Sequence, residues 1–542
     1  MIDKLNYIIF NAPQSQSELI KREDDQKQAK FAIGSFNTKL VSRILLYNGI
    51  SSTIDDDFTL LWATSPEVDT VTPLSPYHKI NHFPYSKQIV GNKAELAYLI
   101  QNHPNIQDFD QFFPKSFILP DDRDALFMKM KSNPKKPFIA KPPEGSCGHG
   151  IKIVTFNDFY TIHHNSVVSE YVSRPLTIDS FKFDMRIYVL VTSYAPLRAF
   201  VYKEGLARFA TEIYNVGKEN VYSQLTNATL NKRGRNWSND FKWKLTDLLL
   251  EIEHRFKRSS EEIFGMITDV VAKTLAFLQP TMSPNQRTSV INPFFELYGF
   301  DLLLDRNFQM WLLEINTNPS MGFDEDVDYE VKGPLIARAL SIAGISNISS
   351  SGLTELVATH QNISIEDLEL EITRKEDERN EQTGNGFVRI FPSEGTRYLN
   401  DLLKVPPLVS QSNSENQQKK KKSFNPQKLA AIFSSDQASE ILIEYLILTE
   451  RKARKEGDEI VQEKIAKFFI AQGYKMKKKT TLKTILRLFI EDIRSGYSNE
   501  DEFVEVPESL RKMILDSSDV YKETFFENCK FDSVKDVMLL FK

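Results

Sequence analysis

The fold of this chain is decided by the stretch "FFELYGFDLLLDRNFQMWLLEINTNPSM", residues 294 to 321, in which two apolar runs flank a polar turn. A four-residue loop at 306–309 would place Asp301 directly opposite Glu314. Side chains alternate along a strand, so Asn316 shares the face of Glu314. Directly opposed residues have Cβ atoms about 4.5–5.5 Å apart. The stretch therefore predicts a β-hairpin that carries two carboxylates and an amide on one face.

The acidic face of this hairpin indicates a metal site. Two carboxylates at that distance repel each other, and apolar neighbours would raise the pKa of both unless a positive charge lies between them. Magnesium prefers oxygen ligands such as carboxylates, an amide and substrate phosphates. Asp301, Glu314 and Asn316 supply that set. The alternative is an edge hairpin whose polar residues simply face water.

A second predicted strand, "FKFDMRIYVLV", supplies a cationic face, because its polar residues recur at every second position. Charged groups on a buried sheet need partners, and arginine binds phosphate through two parallel hydrogen bonds. The alternative is a network of structural salt bridges. The polar residues of this strand and of the segments that follow it are Lys182, Asp184, Arg186, Arg208, Thr226 and Asn227.

A glycine-rich loop lies between two further predicted strands, in "FIAKPPEGSCGHGIKIV", residues 137 to 153. Lys141 ends the first strand, and Gly145, Gly148 and Gly150 would let backbone N–H groups approach a polyphosphate. The loop has neither the Gly-Lys-Ser/Thr of a P-loop nor the following helix of a dinucleotide fingerprint. Alone it is equally well a plain turn. Together with the acidic hairpin and the cationic strand, it predicts Mg-ATP bound between two sheets.

The composition is that of an ordinary globular protein. The chain has 542 residues, 41% of them apolar and 26% charged, which suggests about three or four domain-sized units. We expect neither a transmembrane span nor a signal peptide. The two cysteines, Cys147 and Cys529, are too few for a disulfide framework, so we expect a reducing cytoplasmic location.

Charge is distributed unevenly along the chain. Residues 415–490 contain 17 Lys+Arg against 9 Asp+Glu, although the net charge is −5. Such a segment can contact an acidic surface, or it can be a solvated linker and helix face. The expected organisation is an N-terminal α/β domain (1–80), a central domain with the glycine-rich loop (81–165), a catalytic domain (166–345), a charged extension (346–404), a linker (405–427) and a helical domain with a basic patch (428–542).

Several motifs, in order, resemble those of the tubulin tyrosine ligase-like enzymes, which have the ATP-grasp fold. They are "NHFP", "NKAEL", "FILP", "SEYVSRPLTID", "KFDMRIYVLVTS", "EGLARFA", "LTNATLNK", "FELYGFDLLLD" and "WLLEINTNPSM". The resemblance covers roughly residues 40 to 400. It implies an α/β (α+β) fold whose ATP-grasp-like core holds a nucleotide between two sheets, followed by a C-terminal helical region.

The resemblance also assigns roles to single residues. It implies that Lys141, Lys182, Gly148, Gly150, Thr226 and Asn227 contact the ATP phosphates, that Glu170, Tyr171 and Val172 line the adenine, and that Asp184 lies on the ribose side. Arg186 and Arg208 would meet the γ-phosphate and the acidic substrate, Lys332 a substrate carboxylate, and Asp301, Glu314 and Asn316 the magnesium ion. The chain departs from the family pattern at Ser169, His149 and Gln224, which leaves the donor amino acid open.

Within that family the chain is most similar to the members that add glutamate. We therefore expect an ATP- and Mg²⁺-dependent ligase that joins free glutamate to the acidic C-terminal tails of tubulin through an acyl phosphate. We expect a monomer that acts on microtubules in the cytoplasm and cytoskeleton, with the cilium or basal body as a location, and without nucleic acid or membrane. The alternatives are a glycine or tyrosine ligase on tubulin or another acidic protein, and an inactive microtubule-binding protein.

Overall fold

The computed structural model describes one compact unit within residues 1–410. The described residues are 5–19, 27–34, 39–55, 57–63, 77–109, 111–145, 150–215, 221–226, 241–283, 293–353 and 365–403. The expected linker and C-terminal helical domain lie outside the described residues. So do Gly148 and Asn227.

A small parallel sheet forms the N-terminal part, with strand order β2-β1-β3-β4. The helix α1 follows β1 and buries Leu40, Val41, Ile44 and Leu45, whose spacing puts them on one face of the helix. The elements are β1 (Lys30–Gly34), α1 (Lys39–Tyr47), β2 (Ser51–Ser52), β3 (Leu60–Ala63) and β4 (Lys79–Ile80).

Two helices, α2 (Ser86–Ile89) and α3 (Lys93–Gln101), lead from this sheet to a central antiparallel sheet of order β5-β8-β6-β7. The central sheet has a core of its own, in which Leu126 and Met130 of helix α4 pack with Phe138 and Val168. Its strand β8 lies beyond the predicted boundary at residue 165. The elements are β5 (Ser116–Ile118), α4 (Arg123–Ser132), β6 (Phe138–Lys141), β7 (Lys152–Val154) and β8 (Val167–Glu170).

A seven-stranded sheet carries most of the core. Its order is β12-β11-β10-β13-β14, while β15 pairs with β11 and β9 pairs with β10. The predicted α/β (α+β) class with several sheets is confirmed. The strands are β9 (Thr177–Ile178), β10 (Phe181–Tyr194), β11 (Leu197–Phe209), β12 (Lys242–Lys244), β13 (Glu296–Leu304), β14 (Met310–Asn316) and β15 (Phe387–Phe391).

The predicted hairpin is formed by β13 and β14, and Asp301 does lie opposite Glu314. The predicted four-residue loop is wrong by one residue, because Leu304 pairs with Met310 and leaves residues 305–309 as the turn. A register shift between Asp301 and Leu302 restores the expected pairing. A β-bulge of this kind places two residues of one strand against one of the other. The bulge therefore lies beside the two carboxylates.

Helices cover both faces of the large sheet. On one face α6 (Leu245–Phe256) and α7 (Ser260–Met282) pack with α3, and on the other face α8 (Asp326–Ala343) packs with α1. Within the described residues, α7 is the one helix long and apolar enough to cross a membrane, and 61% of the relevant window is buried inside the protein. We therefore interpret α7 as a core helix. A short helix α5 (Val221–Gln224) precedes β12.

The charged segment after residue 364 forms the helix α9 (Ile365–Gln382) and then β15. Despite the high charge of this extension, one face of α9 is buried, with Glu376 at 3% and Arg379 at 6% exposed. Arg198 of β11, 3% exposed, binds Glu369 at 2.5 Å and Glu376 at 3.2 Å. Arg389 of β15 adds a second contact to Glu376 at 3.1 Å. Ion pairs rather than apolar side chains hold this part of α9 to the sheet.

Candidate active site

The central sheet and the large sheet face each other across an open cleft. Strands β6 and β8 form one wall, and β10, β13 and β14 form the other. Residues from separate motifs of the sequence therefore meet in one space, as the sequence predicts. The predicted site residues that line it are Lys141, Glu170, Tyr171, Val172, Lys182, Asp184, Thr226, Asp301 and Glu314.

The acidic side of the cleft is the hairpin of β13 and β14. Asp301 and Glu314 are direct cross-strand neighbours. The Nδ2 atom of Asn316 lies 3.4 Å from Asp301 Oδ2 and 3.4 Å from Glu314 Oε1. The three predicted ligands therefore converge on one point.

Two arginines already bind Asp301. The Nε atom of Arg186 donates to Asp301 Oδ1 at 2.5 Å and its Nη2 donates to Oδ2 at 3.1 Å, while Arg208 Nη2 lies 2.9 Å from the same Oδ2. Burial alone would raise the pKa of Asp301, but the two guanidiniums outweigh it and hold that pKa well below its usual range. The aspartate is thus ionised throughout the physiological range.

Arg208 has a second and independent anchor in Asp184. Its Nε and Nη2 atoms donate to the two oxygens of Asp184 at 2.7 Å each, and Thr226 Oγ1 donates to Asp184 at 2.5 Å. These three side chains are buried, with Arg208 8% exposed. Asp184 therefore orients Arg208. The predicted contact of Asp184 on the ribose side of a nucleotide would come in addition to this role.

The two lysines of the cleft are poorly solvated cations. Lys182 donates to the Tyr171 hydroxyl at 3.1 Å and to the Gln224 carbonyl at 2.8 Å, and burial lowers its pKa to about 8 although Asp184 opposes the shift. Lys141 lies 3.5 Å from the Leu313 carbonyl, and burial lowers its pKa despite the nearby acid of the hairpin. Both cations would gain from an anionic ligand.

Glu170 belongs to the cleft wall, but its carboxylate binds Lys129 at 2.9 Å and Lys136 at 2.8 Å. Partial burial would raise its pKa, yet hydrogen bonds from these two lysines lower it. The side chain is therefore engaged on the central-sheet side. Tyr171 and Val172 continue the lining beside it.

Lys332 lies on α8, next to the arginine pair. Its Nζ binds Asp328 at 2.7 Å and donates to the Gly322 carbonyl at 2.6 Å, and Lys242 binds the same Asp328 at 2.9 Å. Burial lowers the pKa of Lys332, Asp328 opposes this, and the charge of Arg186 lowers it further. Lys332 and Arg186 are thus close enough for their charges to interact.

Lys93, the first residue of α3, lies at the site although it is not among the site residues predicted from the sequence. Its Nζ lies 3.6 Å from Glu314 and donates to the Gly145 carbonyl at 3.1 Å, while its backbone N–H donates to Pro143 at 3.0 Å. A cation at a helix N-terminus opposes the helix dipole. That unfavourable placement, directly after the N-cap Asn92, was the signal in the sequence that could have identified it.

The donor atoms suit magnesium better than a transition metal. Among the residues that the structure describes, no group of three or more His, Cys, Asp or Glu side chains is arranged to hold a metal ion. Two carboxylates and one amide remain, and magnesium commonly takes such a partial set and completes it with water and substrate phosphates. The residues therefore fit an ion that arrives with a polyphosphate.

Comparison with known proteins identifies the family of this site. Residues 71–351 match the tubulin-tyrosine ligase family, which is more than half of the chain. The chain is 36% identical over 319 residues to tubulin polyglutamylase TTLL6 of Homo sapiens, which covers 56% of this chain and 35% of that protein.

Two further relatives carry the same description. Tubulin polyglutamylase TTLL5 of Mus musculus is 30% identical over 428 residues, covering 66% of this chain and 32% of that protein. Tubulin polyglutamylase TTLL7 of Mus musculus is 32% identical over 338 residues, covering 57% of this chain and 36% of that protein. The chain thus spans about a third of the length of these relatives.

Proposed function

This chain belongs to the tubulin-tyrosine ligase family, and we propose that it is an ATP- and Mg²⁺-dependent ligase that joins free glutamate to carboxylates in the acidic C-terminal tails of tubulin. The observation that carries the proposal is the cleft itself. Lysines from both walls, Lys141 and Lys182, line the same cleft as the hairpin on which Asp301, Glu314 and Asn316 converge. The similarity to proteins described as tubulin polyglutamylases supports glutamate as the donor and tubulin as the acceptor.

The reaction has two steps. An acceptor carboxylate oxygen attacks the γ-phosphorus of ATP, the bond to the β-phosphate breaks, and ADP leaves behind an acyl phosphate. The amine of glutamate then attacks the acyl carbon, loses a proton, and displaces inorganic phosphate to leave an amide. No covalent intermediate with the protein is required.

The side chains of the cleft position the reactants and compensate their charge. Lys141 and Lys182 neutralise phosphate oxygens, and Arg186, Arg208 and Lys332 hold the anionic amino acid and acceptor close to them. Asp301, Glu314 and Asn316 would hold magnesium, which supplies charge stabilisation on the phosphoryl oxygens when bound. The two anionic substrates repel each other, and this cationic cluster offsets that repulsion.

The work of such an enzyme takes place at microtubules, in the cytoplasm and in structures such as the cilium or basal body. The basic stretch 415–490 adds long-range attraction to an acidic microtubule surface. Its contribution would weaken as salt screens exposed charges. We further propose that the chain acts as a monomer and without nucleic acid or membrane.

The test is a labelling experiment on the full chain. Purified tubulin is incubated with ATP, Mg²⁺ and one radiolabelled amino acid at a time: glutamate, glycine or tyrosine. Incorporation of glutamate alone, located in the tails by mass spectrometry, is the expected result. Label from glycine or tyrosine would mean that this amino acid, and not glutamate, is the donor. Co-sedimentation with microtubules without incorporation of any label would mean that the chain is an inactive microtubule-binding protein.

A further inference from the structure

The carboxylate of Asp301 binds Arg186 and Arg208, and the proposed reaction needs both arginines to bind the anionic substrate. Its two oxygens receive three hydrogen bonds, two from Arg186 and one from Arg208. Asp301 is 2% exposed, so little water is available to replace a lost contact. Asp301, the proposed metal ligand, is thus bound by the same guanidiniums that are proposed to bind the anionic substrate.

Neither arginine depends on Asp301 alone for its position. Arg208 keeps its bidentate contact with Asp184 at 2.7 Å. Arg186 is confined on another side by Gly299. The Cδ atom of Arg186 packs so closely on this glycine that a Cβ at residue 299 would lie only 3.0 Å from it. Loss of the bonds to Asp301 would therefore release N–H donors without removing the side chains from the site.

Simultaneous binding of a metal and both arginines by Asp301 is unfavourable. A divalent ion needs carboxylate oxygens at close range, and it would bring a charge of two to a buried place already next to two guanidinium charges. Like charges at short range in a poorly solvated site repel strongly. The repulsion between the metal ion and the guanidiniums decreases when the N–H donors of the two arginines bind an anion instead of Asp301.

We propose that Asp301 couples the two ligands: binding of the metal–nucleotide complex takes its oxygens and frees N–H donors of Arg186 and Arg208 for the anionic amino-acid substrate. This inference rests on the proposed function. Its consequence is positive cooperativity between metal–nucleotide and anionic substrate. Because coupling free energies are reciprocal, glutamate must also tighten binding of the metal–nucleotide by the same factor.

The coupling has a functional consequence. Before the nucleotide is in place, the arginines are neutralised internally, so a free amino acid or an acidic tail finds a weak site. After the nucleotide binds, the same arginines attract the anion towards the γ-phosphate. The preferred order of binding is therefore nucleotide first, which avoids occupation of the cleft by acidic peptides in unproductive complexes.

The experiment is titration calorimetry on the full-length protein with two anionic probes, glutamate and a glutamate-rich peptide. Each is titrated into the free protein and into protein saturated with Mg²⁺ and a non-hydrolysable ATP analogue. We expect the dissociation constant of at least one probe to fall by about fivefold or more, the lower end of typical couplings. Equal dissociation constants in the two states would overturn the inference.

Two variants separate this coupling from simple charge attraction. In Asp301→Asn the arginines lose their charged partner, so we expect metal-free binding of the probe to be tighter than in the wild type and insensitive to the metal–nucleotide. In Asp305→Asn the hairpin also loses one acid, but the Asp305 carboxylate binds Asn307 and Gln309 backbone N–H groups and, among the residues that the structure describes, no arginine. That control should behave as the wild type.

The outcomes also separate this inference from the proposed function. Glutamate incorporation into tubulin without any coupling would refute the inference and leave the function intact. Failure of both probes to bind in every state, together with no incorporation, would refute both. If Asp301→Asn does not fold, the wild-type titration with and without metal–nucleotide still decides, and Arg208→Lys should weaken whatever binding is seen.

Discussion

Lys182 is the residue whose protonation the structure relates most directly to nucleotide binding. Its pKa in the folded protein, about 8, lies below the usual 10.5 because the side chain is buried. As pH rises through about 8 the ligand-free protein therefore loses this cation. Between about 8 and 10.5 the folded state holds fewer protons than the unfolded state, so the contribution of this residue to the free energy of unfolding rises with pH.

We predict weaker nucleotide binding above pH 8. One pH unit above the pKa about a tenth of the lysine remains charged, so affinity for an ATP analogue should fall about tenfold between pH 7 and pH 9. Calorimetry in buffers of different ionisation enthalpy should show proton uptake on binding at pH 9. Lys182→Arg keeps its charge and should flatten most of the profile, and a wild-type affinity that is constant over this range would contradict the assignment.

Glu314 tests the metal site at the level of one atom. We predict that Glu314→Gln lowers glutamate incorporation at least about 100-fold, because a bound metal supplies several kcal/mol and each 1.36 kcal/mol is about tenfold in rate. Circular dichroism and thermal unfolding should remain close to wild type. Asp305→Asn, on the same hairpin but facing the turn, should keep its activity. Wild-type incorporation in Glu314→Gln would exclude Glu314 as a metal ligand.

At the scale of elements, the hairpin shows what periodicity can and cannot predict. Alternation along β14 predicts that Glu314 and Asn316 share a face, whereas the pairing of Asp301 with Glu314 is predicted from an assumed four-residue loop and is observed although that loop is wrong by one residue. The loop length was not predictable in this way, because Asp305 uses its side chain to bind backbone N–H groups of the turn and leaves the strand early. The bulge beside Asp301 compensates for the shorter strand.

The turn leads to a prediction about stability. Asp305 also accepts a bond from Trp311 Nε1 at 3.1 Å, so Asp305→Ala removes two acceptor oxygens that together receive three hydrogen bonds in a mostly buried place. We predict a loss of about 2–4 kcal/mol in the free energy of unfolding. Chemical denaturation with Asp305→Asn as the conservative control would measure it. A change below about 0.5 kcal/mol would mean that the turn is formed without this side chain.

Contacts between elements were the least predictable part of the site. The sequence placed Arg186 on a cationic strand, but its pairing with Asp301 requires that β10 and β13 be neighbours, separated in sequence by more than one hundred residues. Lys93 reaches the hairpin from a helix before the central sheet. Local patterns carry no information about such neighbours, and the resemblance to a known family was needed to expect a common site.

At the scale of the whole molecule, residues 365–403, which follow the family match, are part of the same core. Strand β15 pairs with β11 at the large sheet. Helix α9 binds β11 through the buried ion pair of Glu376 with Arg198. Arg389 packs over the Phe200 ring at 4.3 Å. The high charge of α9 does not make it a solvated helix, because charges that are paired with residues of other elements can be buried. The segment is therefore part of the folded unit.

Substitution of Arg198 tests how strongly α9 is held to the large sheet. We predict that Arg198→Ala lowers the free energy of unfolding by about 3 kcal/mol, the lower end of the range for a broken buried pair, because Glu369 and the buried Glu376 both lose their bond to Arg198 while Glu376 keeps its bond to Arg389. The control is Arg374→Ala on the exposed side of α9, where pairs with Glu371 and Glu378 should contribute at most about 1 kcal/mol. Similar effects of the two substitutions in urea unfolding would mean that α9 is not held by the Arg198 pairs.

The central claim is that Asp301 and Glu314 from paired strands, with the amide of Asn316, hold a nucleotide-bound divalent ion in a cleft that Lys182 lines from the same wall and Lys141 from the opposite wall. A crystal structure with Mn²⁺ in place of Mg²⁺ and a non-hydrolysable ATP analogue tests it directly, because manganese is located by its anomalous scattering. We predict a manganese peak in contact with Asp301, Glu314 and Asn316, and phosphates in contact with Lys141 and Lys182. A nucleotide bound in the cleft with its metal away from these three side chains, or bound elsewhere on the protein, would contradict the account.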